Sequence, residues 1–530
     1  MRVAIVGQGP RGIHALGELL ARWPAHLPLE VDCFDPRPPG VGAAYAPDQP
    51  HQLRLNVHPR IVHQPPQPPL VDWLRSRGVD PDGDVPRALV SGYFARAREM
   101  MLAELDPAVT VRLHPAAATG IERAGQSWRL RTDATSELSG EAAGEGLLAD
   151  EVLLSTGHAP GHDGAMDPSN WETDQPTRLV PAVYPVQQHL SLDQVPPGST
   201  VAVRGAALTF IDVALTLFEA RPEQHWPARL LPLSRSGLLM NAKPAVGFAL
   251  TPAAQQAVDE LAARLTDDPG QAIAVLQLAA ARLLELEGIG PDEARDQVSH
   301  TLRTGWEPDL PAHGRALAQL QRSIAVARGE RAPGASPALG RAWSALYPTL
   351  VARLSHSHPQ SESWQDFLAA AAVLERFSFG PPLPNAIRLA ELCERGLVDT
   401  SWMEHGVRVT SRIENLPEGQ LPPNVLVDGV LSPPGAKGAR TPLVDALLAA
   451  GEVRLAPGQR GLDVTPQAQC LTRDGSPSTG LSAVGRLVED VVIGHDTLGR
   501  QLHHEVPQWA ARLADGARQD ARQHHVHRQE

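Results

Sequence analysis

The chain opens with Val3-Ala4-Ile5-Val6-Gly7-Gln8-Gly9-Pro10-Arg11-Gly12, in which four apolar residues lead directly into the pattern GxGxxG. The apolar run is typical of a buried parallel strand, and a segment with helical spacing follows the last glycine. At a turn between strand and helix, Gly7 permits the sharp bend and Gly9 lets a pyrophosphate approach the backbone, while Gly12 lets the helix pack closely. The stretch predicts the first βαβ unit of a dinucleotide-binding domain; an ordinary glycine-rich turn is the alternative.

Residues outside the three glycines complete this predicted site. Pro10 and Arg11 begin the helix, whose amino end attracts phosphate groups. A second strand ends in Asp35, 23 residues after the last glycine of the pattern, where a carboxylate can accept hydrogen bonds from ribose hydroxyls. A later strand returns to the same sheet and leads into Thr156 and Gly157, whose backbone we expect close to the cofactor. Because the motif opens the chain and another nucleotide-type unit follows, the expected cofactor is FAD.

That second unit begins after the apolar strand of residues 199–204. Gly205 takes the place of the first glycine, and Thr209 lies in the helical run that follows. Ala207 and Phe210 stand where the other two glycines of the pattern are expected, so this fingerprint is weaker than the first.

The next strand of the second unit, residues 229–233, leads into Ser234 and Arg235. A guanidinium at this place can pair with the 2′-phosphate of a nicotinamide cofactor. Arg235 therefore favours NADPH over NADH, and a solvated loop arginine is the alternative.

The order of these segments predicts an α/β fold with two interleaved Rossmann-like dinucleotide-binding domains, for FAD and NAD(P)H, and a helical insertion. The apolar residues of the insertion recur at helical spacing, and it could be a lid or a packing surface. Predicted strands at 424–431, 461–464 and 481–485 close the two domains, with Gly485 near the flavin. The expected segments are the FAD domain, first part (1–195); the NAD(P)H domain, first part (196–250); the insertion (251–400); the closing parts of the NAD(P)H domain (401–435) and of the FAD domain (436–515); and a disordered tail (516–530).

Composition and charge argue against several classes of function. The 47 lysines and arginines and the 60 aspartates and glutamates give a net charge of −13, which disfavours nucleic acid and anionic membranes as partners. Three separated cysteines without a CxxC pair indicate neither a disulfide scaffold nor a cysteine metal site, and we expect no bound metal. Because no apolar segment reaches the roughly 18 residues of a membrane span, we expect a soluble protein. The three separated cysteines fit a reducing cytoplasm as its location.

Several short motifs accompany the first glycine pattern: Gly40-Val41-Gly42-Ala43-Ala44-Tyr45, Leu53-Arg54-Leu55-Asn56-Val57, Pro86-Arg87 before Gly92-Tyr93, Ser155-Thr156-Gly157-His158, residues 205–212 and Phe379-Gly380-Pro381-Pro382. In them the sequence resembles a family of FAD- and NAD(P)H-binding monooxygenases that includes a urate hydroxylase and an aspartate N-monooxygenase. The resemblance implies that NADPH reduces FAD and that O₂ then forms a C4a-hydroperoxyflavin. This species would hydroxylate a small polar metabolite, either at an amino-acid nitrogen or on a purine-like ring.

The same resemblance suggests which side chains lie near the flavin. It implies that Tyr45 and Asn56 are close to the flavin, the alternative being that they only shape a proline-rich loop. It also makes Arg54 a candidate for binding an anionic substrate or a cofactor phosphate. Because the flavin performs the difficult chemistry, no acid-base residue is required. Two other functions remain open at this point: an NAD(P)H-dependent flavin reductase or oxidase that inserts no oxygen, and a non-catalytic FAD- or nucleotide-binding sensor.

Overall fold

The computed structural model describes residues 1–133, 146–172, 176–243, 250–359, 361–495, 497–499 and 501–526. The strands within these residues are β1 (Arg2–Val6), β2 (Leu29–Phe34), β3 (Val109–His114), β4 (Ala118–Ala124), β5 (Ser127–Thr132), β6 (Leu147–Ala149), β7 (Glu151–Leu154), β8 (Gly161–His162), β9 (Arg178–Val180), β10 (Thr200–Arg204), β11 (Arg229–Leu233), β12 (Arg408–Val409), β13 (Ile413–Glu414), β14 (Val425–Asp428), β15 (Ala439–Arg440), β16 (Gln469–Leu471) and β17 (Pro477–Ala483). The α-helices are α1 (Pro10–Arg22), α2 (Leu70–Arg75), α3 (Ala88–Ala103), α4 (Val186–His189), α5 (Leu208–Phe218), α6 (Pro252–Ala262), α7 (Pro269–Leu286), α8 (Pro291–Thr304), α9 (Arg315–Ala327), α10 (Ala335–Leu354), α11 (Ser361–Ser378), α12 (Leu383–Glu394), α13 (Ser401–Glu404), α14 (Pro442–Ala450) and α15 (Glu505–Val526).

The first sheet joins the two ends of the chain. Its strand order is β16-β17-β7-β1-β2-β3, and all neighbouring pairs are parallel except β16 with β17. The apolar run that opens the sequence forms β1 in the middle of this sheet, with Val3, Ala4 and Ile5 fully buried. Strand β17 comes from the last fifth of the chain, so this domain is completed only when the C-terminal segment has folded back.

Helices α1 and α15 cover one face of this sheet together. Leu16 and Leu19 of α1 share an apolar cluster with Trp509 and Leu513 of α15. The opposite face is covered by the antiparallel sheet β4-β5-β6 and by α14, whose Leu443 packs in the same cluster as strand residues of the first sheet. The first dinucleotide turn therefore rests on an element whose two faces are both buried, as parallel sheets require.

The second sheet has the order β11-β10-β14-β9, with every pair parallel. Phe210 of α5, Leu320 of α9 and Leu389 of α12 lie in one apolar cluster with residues of β10 and β14. The strands are short and almost wholly apolar, which is the pattern of strands buried on both faces. The α/β fold with two interleaved dinucleotide-binding units is thus confirmed.

The helical insertion is divided between two cores. Helices α6, α7, α8, α10 and α11 build an apolar cluster of their own, centred on side chains such as Leu276, Trp343 and Phe367. In contrast, α9 and α12 pack against the second sheet. The helical spacing of the apolar residues predicted the helices correctly. This spacing does not show which neighbouring element a buried helix face packs against.

Three predicted boundaries differ from the structure. Strand β9, at Arg178–Val180, belongs to the second sheet, so that domain begins before residue 196. Residues 461–464 form no strand and contribute only isolated bridges, while β16 and β17 complete the first sheet. Helix α15 continues to Val526, so residues 516–526 are helical and the predicted disordered tail is wrong there. Residues 527–530 lie outside the described part of the chain.

Candidate cofactor and active site

The first glycine turn can be built only from glycine at its outer positions. Gly7 has φ +103°, and a Cβ there would lie 2.6 Å from the carbonyl oxygen of Ser155. A Cβ on Gly12 would lie 1.9 Å from the carbonyl oxygen of Gly7, so any side chain would push α1 away from β1. The Ser155 hydroxyl donates to the Gly7 carbonyl at 2.9 Å and fixes the turn from the neighbouring strand.

The amino end of α1 faces the same place without a side-chain cap. Gly9 is the N-cap residue and, as a glycine, has no side chain to cap the helix, and Pro10 lies in the first turn. The first N–H groups of a helix have no partner inside the helix, and together with the helix dipole they form an anion site. The loop that begins at Gly40 lies against this turn, since the Gly40 N–H donates to the Gln8 carbonyl at 2.8 Å and a Cβ on Gly9 would meet the Gly42 Cα at 3.3 Å.

Asp35 lies at the carboxyl end of β2, as predicted for a ribose-binding carboxylate. One carboxylate oxygen accepts the Gln8 N–H at 2.8 Å, and the other accepts the Arg37 N–H at 2.9 Å. Each oxygen can accept a further hydrogen bond. The side chain of Gln8 is fully buried beside it, and its Oε1 has no hydrogen-bond partner among the described residues. The glycine turn and the uncapped helix end fit the pyrophosphate of a dinucleotide. The buried acceptor oxygens of Asp35 and Gln8 fit its ribose.

Thr156 and Gly157 follow β7 on the side of this turn. Thr156 is half-buried and Gly157 is exposed. A Cβ on Gly157 would meet no atom of the described chain within 4 Å, so the backbone borders open space. This geometry leaves room for a flavin to approach the backbone, and contact with the cofactor at these two residues stays a prediction.

Arg11 and Gly485, both predicted at the cofactor, are brought together, and their contact with the cofactor stays a prediction. The Arg11 guanidinium donates to the carbonyls of His495 (2.7 Å) and Thr497 (2.9 Å). The Gly485 N–H donates to Nδ1 of His495 at 2.9 Å, and a Cβ on Gly485 would lie 3.6 Å from the Arg11 side chain. Burial, reinforced by the charge of Arg11, holds the pKa of His495 well below its usual value, so this ring accepts as the neutral form. The Arg11 side chain thus fastens the C-terminal segment to the glycine turn.

The second unit repeats the backbone geometry of the first despite its lost glycines. Gly205 has φ +103°, the same value as Gly7, and its N–H donates to the Leu233 carbonyl at 2.8 Å, as the Gly7 N–H does to Phe34 at 2.8 Å. Ala207 is the uncapped N-cap of α5, and Phe210 is buried in the core of the second sheet. The substitutions that weaken the sequence pattern therefore leave the turn and the anion-attracting helix end intact.

The residues predicted to select NADPH lie beside this second turn. Thr209 is buried in the first turn of α5, and the Ser234 hydroxyl lies 3.1 Å from the hydroxyl of Ser236. Arg235 is exposed just after β11 and has no hydrogen bond or ion pair with another described residue. A loop of the second unit thus presents an unneutralised guanidinium, and its role in phosphate binding stays a prediction.

Arg54, a candidate ligand for an anionic substrate or a cofactor phosphate, contacts side chains of the protein itself. Its guanidinium donates to Oδ1 of Asn385 at 2.6 Å and lies 3.5 Å from a carboxylate oxygen of Asp84 and 3.9 Å from one of Glu219. A guanidinium already surrounded by two carboxylates and an amide is poorly placed to bind a phosphate. The structure instead places Arg54 at the contact between the first domain and helices α5 and α12.

A buried ion pair that the sequence did not reveal makes a second contact between the domains. Arg87, which precedes α3, pairs with Asp212 of α5, and the Tyr184 hydroxyl donates to the same carboxylate. Burial opposes the charge of Arg87, but the interactions with Asp212 and Tyr184 together outweigh it and raise the pKa of Arg87. Burial, with the same negative charge, raises the pKa of Tyr184 and keeps it protonated. Arg87 was noted only as part of a motif, since nothing local in the sequence indicates Asp212 as its partner.

Lys243 is a further side chain that sequence reasoning missed. Its ammonium donates to the backbone carbonyl of Asn56 and lies 6.0 Å from the centre of the Phe379 ring. Asn56 and Tyr45, the residues expected near the flavin, are both half-buried in the loop region that follows β2. Lys243 thereby joins the first domain, the segment after β11 and the helical region at one point.

Cavities and metals add little to this site. A cavity of about 450 Å³ lies beside the C-terminal half of α1, lined by residues such as Trp23, Gln64 and Met101, at the opposite end of the helix from the glycine turn. A cavity of about 250 Å³ lies by Arg204 and Thr410 at the second sheet.

Within the described residues, no group of three potential ligands could hold a metal ion. None of the described helices is long and apolar enough to cross a membrane.

Comparison with known proteins agrees with this geometry. Residues 4–159 match the model of the FAD-NAD(P)-binding family. Over 240 residues the chain is 29% identical to nitrosuccinic acid synthase of Aspergillus oryzae, a match that covers 41% of this chain and 35% of that protein. The chain therefore spans about a third of the length of the curated relative it matches.

Solved structures extend the comparison to the whole fold. Ornithine hydroxylase from Pseudomonas aeruginosa is 11% identical with a TM-score of 0.52, covering 97% of this chain and 98% of that one. An ornithine N-hydroxylase from Kutzneria sp. 744 is 13% identical with a TM-score of 0.48, covering 98% and 99%. The first of these establishes a shared fold along nearly the whole chain. The match over residues 4–159 confirms the resemblance to FAD- and NAD(P)-binding proteins.

Proposed function

We propose that this protein is an FAD-dependent, NADPH-consuming monooxygenase that hydroxylates the nitrogen of a small amino acid with O₂. The observation that carries the proposal is the pair of dinucleotide turns. Gly7 and Gly205 share one backbone conformation, and each precedes a helix whose amino end carries no side-chain cap. One such turn serves FAD, and a second supports a nicotinamide cofactor that reduces it. The similarity to nitrosuccinic acid synthase favours nitrogen as the atom oxidised.

The residues of the chain supply binding, orientation and exclusion of water. Asp35 and Gln8 hold the ribose side of FAD, while the amino end of α1 holds its pyrophosphate. When bound and reduced, FAD would supply the oxygen-activating chemistry at this site. The ion pair of Arg87 with Asp212 holds the start of α3 against α5. It would thereby fix the position of one cofactor site relative to the other.

We further propose a reducing, cytoplasmic location. Cys33, Cys393 and Cys470 are unpaired in the structure, and Cys33 and Cys470 are buried. Burial raises the pKa of the Cys33 and Cys393 thiols to about 12, so both stay protonated and unreactive at neutral pH. Mass spectrometry of the protein purified without reductant should find three free thiols, and a disulfide would contradict this location.

The monooxygenase activity is tested on purified protein reconstituted with FAD. We expect a yellow holoprotein that oxidises NADPH faster when an amino-acid substrate such as L-aspartate or L-ornithine is present. Mass spectrometry should then find a product one oxygen atom heavier, or a product of further oxidation. Failure to retain flavin after reconstitution would overturn the proposal.

Two measurements separate this activity from the alternatives. NADPH consumed with hydrogen peroxide as the only oxygen product indicates a reductase or oxidase. Anaerobic addition of NADPH that binds without bleaching the flavin absorbance indicates a sensor. Rapid bleaching followed by substrate oxidation on admission of O₂ is the expected result.

The preference for NADPH is tested by Arg235→Ala. Loss of a charge-assisted hydrogen bond to the 2′-phosphate should raise the NADPH KM by about 10- to 100-fold and leave the NADH KM nearly unchanged. Arg303→Ala, which removes an exposed arginine from α8, is the matched control and should alter neither value. Equal effects of Arg235→Ala on both cofactors would contradict a phosphate role.

A further inference from the structure

Lysine is nearly absent from this chain. Of the 47 basic residues only Lys243 and Lys437 are lysines, and the other 45 are arginines. Lys437 is exposed, whereas Lys243 is half-buried and follows a fully enclosed segment of residues 238–242. Lys243 is therefore unusual both in its residue type and in its burial, and the contacts of its ammonium group indicate its role.

The backbone around Lys243 is held rigidly. The Lys243 N–H donates to the Pro381 carbonyl at 2.9 Å, and the Asn241 N–H donates to the Arg376 carbonyl at 3.0 Å. Gly380 is pressed against this segment, since a Cβ there would lie 1.8 Å from the Asn241 carbonyl oxygen. The side chain therefore starts from a fixed point and extends across the domain boundary to Asn56.

The charge of Lys243 is not neutralised by the described chain. Its ammonium forms no ion pair with a described carboxylate, and one of its three N–H donors is used by the Asn56 carbonyl. Burial lowers the pKa of Lys243 to about 8, and no described charged group contributes to the shift. At neutral pH a half-buried cation therefore lies beside Asn56, with two donors that no described residue accepts. Such an arrangement is costly unless an anion completes it.

We propose that the Lys243 ammonium binds a carboxylate of the amino-acid substrate and thereby sets the distance between the substrate nitrogen and the flavin. This inference rests on the proposed function. Phosphate is the other anion available, but the phosphates of both cofactors have their own sites at the two glycine turns. A carboxylate also suits the compact ammonium of a lysine, which binds as a point charge, whereas phosphates more often meet arginine forks.

Kinetics of the FAD-reconstituted enzyme test the assignment with a matched pair of lysine substitutions. Lys243→Met keeps the length of the side chain and removes its charge, and Lys437→Met removes the exposed lysine. With L-aspartate and L-ornithine as probes, Lys243→Met should raise the amino-acid KM by about 10- to 100-fold and leave the NADPH KM within about twofold. Putrescine, which is ornithine without its carboxylate, should stimulate NADPH oxidation only weakly. This weak stimulation should be the same in wild type and in Lys243→Met. Lys437→Met should behave as wild type.

The outcomes distinguish the possible anions. A raised NADPH KM with an unchanged amino-acid KM would assign Lys243 to a cofactor phosphate and overturn the proposal. An unchanged amino-acid KM in Lys243→Met would also overturn the proposal. So would equal stimulation of NADPH oxidation in the wild type by ornithine and putrescine. A protein that retains no flavin, or whose flavin NADPH does not bleach, fails the proposed function itself, before any lysine is altered.

Chemical labelling of the wild-type holoprotein provides a readout that does not depend on turnover. Because the chain has two lysines, an amine-reactive reagent such as trinitrobenzenesulfonate at pH 8.5 gives two internal sites that peptide mass spectrometry resolves. L-aspartate or L-ornithine at saturating concentration should protect Lys243 at least about fivefold and leave Lys437 labelled, since a bound carboxylate keeps the amine protonated and covered. Equal labelling of Lys243 with and without the amino acids would overturn the proposal.

Discussion

At the scale of single residues, the first dinucleotide turn depends on glycine at positions where a methyl group has no room. Gly12→Ala would place a carbon 1.9 Å from the Gly7 carbonyl oxygen, so α1 must shift. We expect a loss of about 3 kcal/mol of stability and of most bound flavin, measured by the melting temperature and by flavin absorbance per protein. Gly516→Ala in α15 meets no atom within 4 Å of the new methyl in the described chain and serves as the control. A Gly12→Ala protein with normal flavin content would contradict the packing argument.

We expect the buried charge of Lys243 to lower the free energy of unfolding of the protein. Its folded pKa of about 8 is below the unfolded value of 10.5, so between these values the unfolded chain binds more protons and stability rises with pH. Below about pH 8 the full cost of the buried charge is present. Lys243→Met should therefore melt higher than wild type at pH 7, by an equivalent of about 1–2 kcal/mol after the lost hydrogen bond to Asn56 is counted, and this difference should shrink at pH 9. A lower melting temperature at pH 7 would indicate a structural role instead.

The difference between local and distant partners explains which site residues the sequence could predict. Gly7, Gly12 and Asp35 were predictable because their geometry follows from the strand, turn and helix in which they lie. The contacts of Arg54 were not foreseen because its partner Asn385 is 331 residues away, and Lys243 was missed because Asn56 is 187 residues away. A single sequence holds no local signal for such contacts.

At the scale of elements, α3 of the first domain and α5 of the second are joined by the buried pair of Arg87 and Asp212. Removing one partner leaves an uncompensated charge, so Arg87→Met should cost about 3–5 kcal/mol. The double variant Arg87→Met, Asp212→Leu replaces both charges with apolar groups and should recover most of that loss. Thermal denaturation of the two variants and wild type is the measurement. Equal destabilisation of the single and double variants would show that the charge pairing does not explain the contact.

The second unit shows what a fingerprint pattern measures. Ala207 and Phe210 indicated a weak nucleotide site, yet the turn at Gly205 has the same φ as Gly7 and the same hydrogen bond to the neighbouring strand. The bend depends on the first glycine, while the other two positions tune how closely phosphate and helix approach. The pattern therefore predicted the unit correctly and underestimated how well its backbone is preserved.

At the scale of the whole molecule, the N-terminal and C-terminal parts of the chain form one structural unit. Strand β17 pairs with β7, which pairs with β1, and α1 packs on α15. Arg11 adds a direct link, because its guanidinium donates to the carbonyls of His495 and Thr497, 484 and 486 residues away. The glycine turn thus rests on a segment that is distant in sequence, so FAD binding depends on both parts of the chain.

This connection predicts that FAD stabilises both ends of the chain together. Hydrogen exchange of apoprotein and FAD-reconstituted protein should show added protection at residues 7–12 and also at 485–495, with little change in α6 and α7 of the separate helical core. Arg11→Met should remove the protection at 485–495 and weaken FAD binding by about tenfold, although its guanidinium points to protein carbonyls and not to the cofactor. Arg22→Met, at the far end of the same helix, is the control and should leave both protections intact. Protection limited to residues 7–12 in the wild type would contradict the coupling, because the two segments would then respond to the cofactor independently.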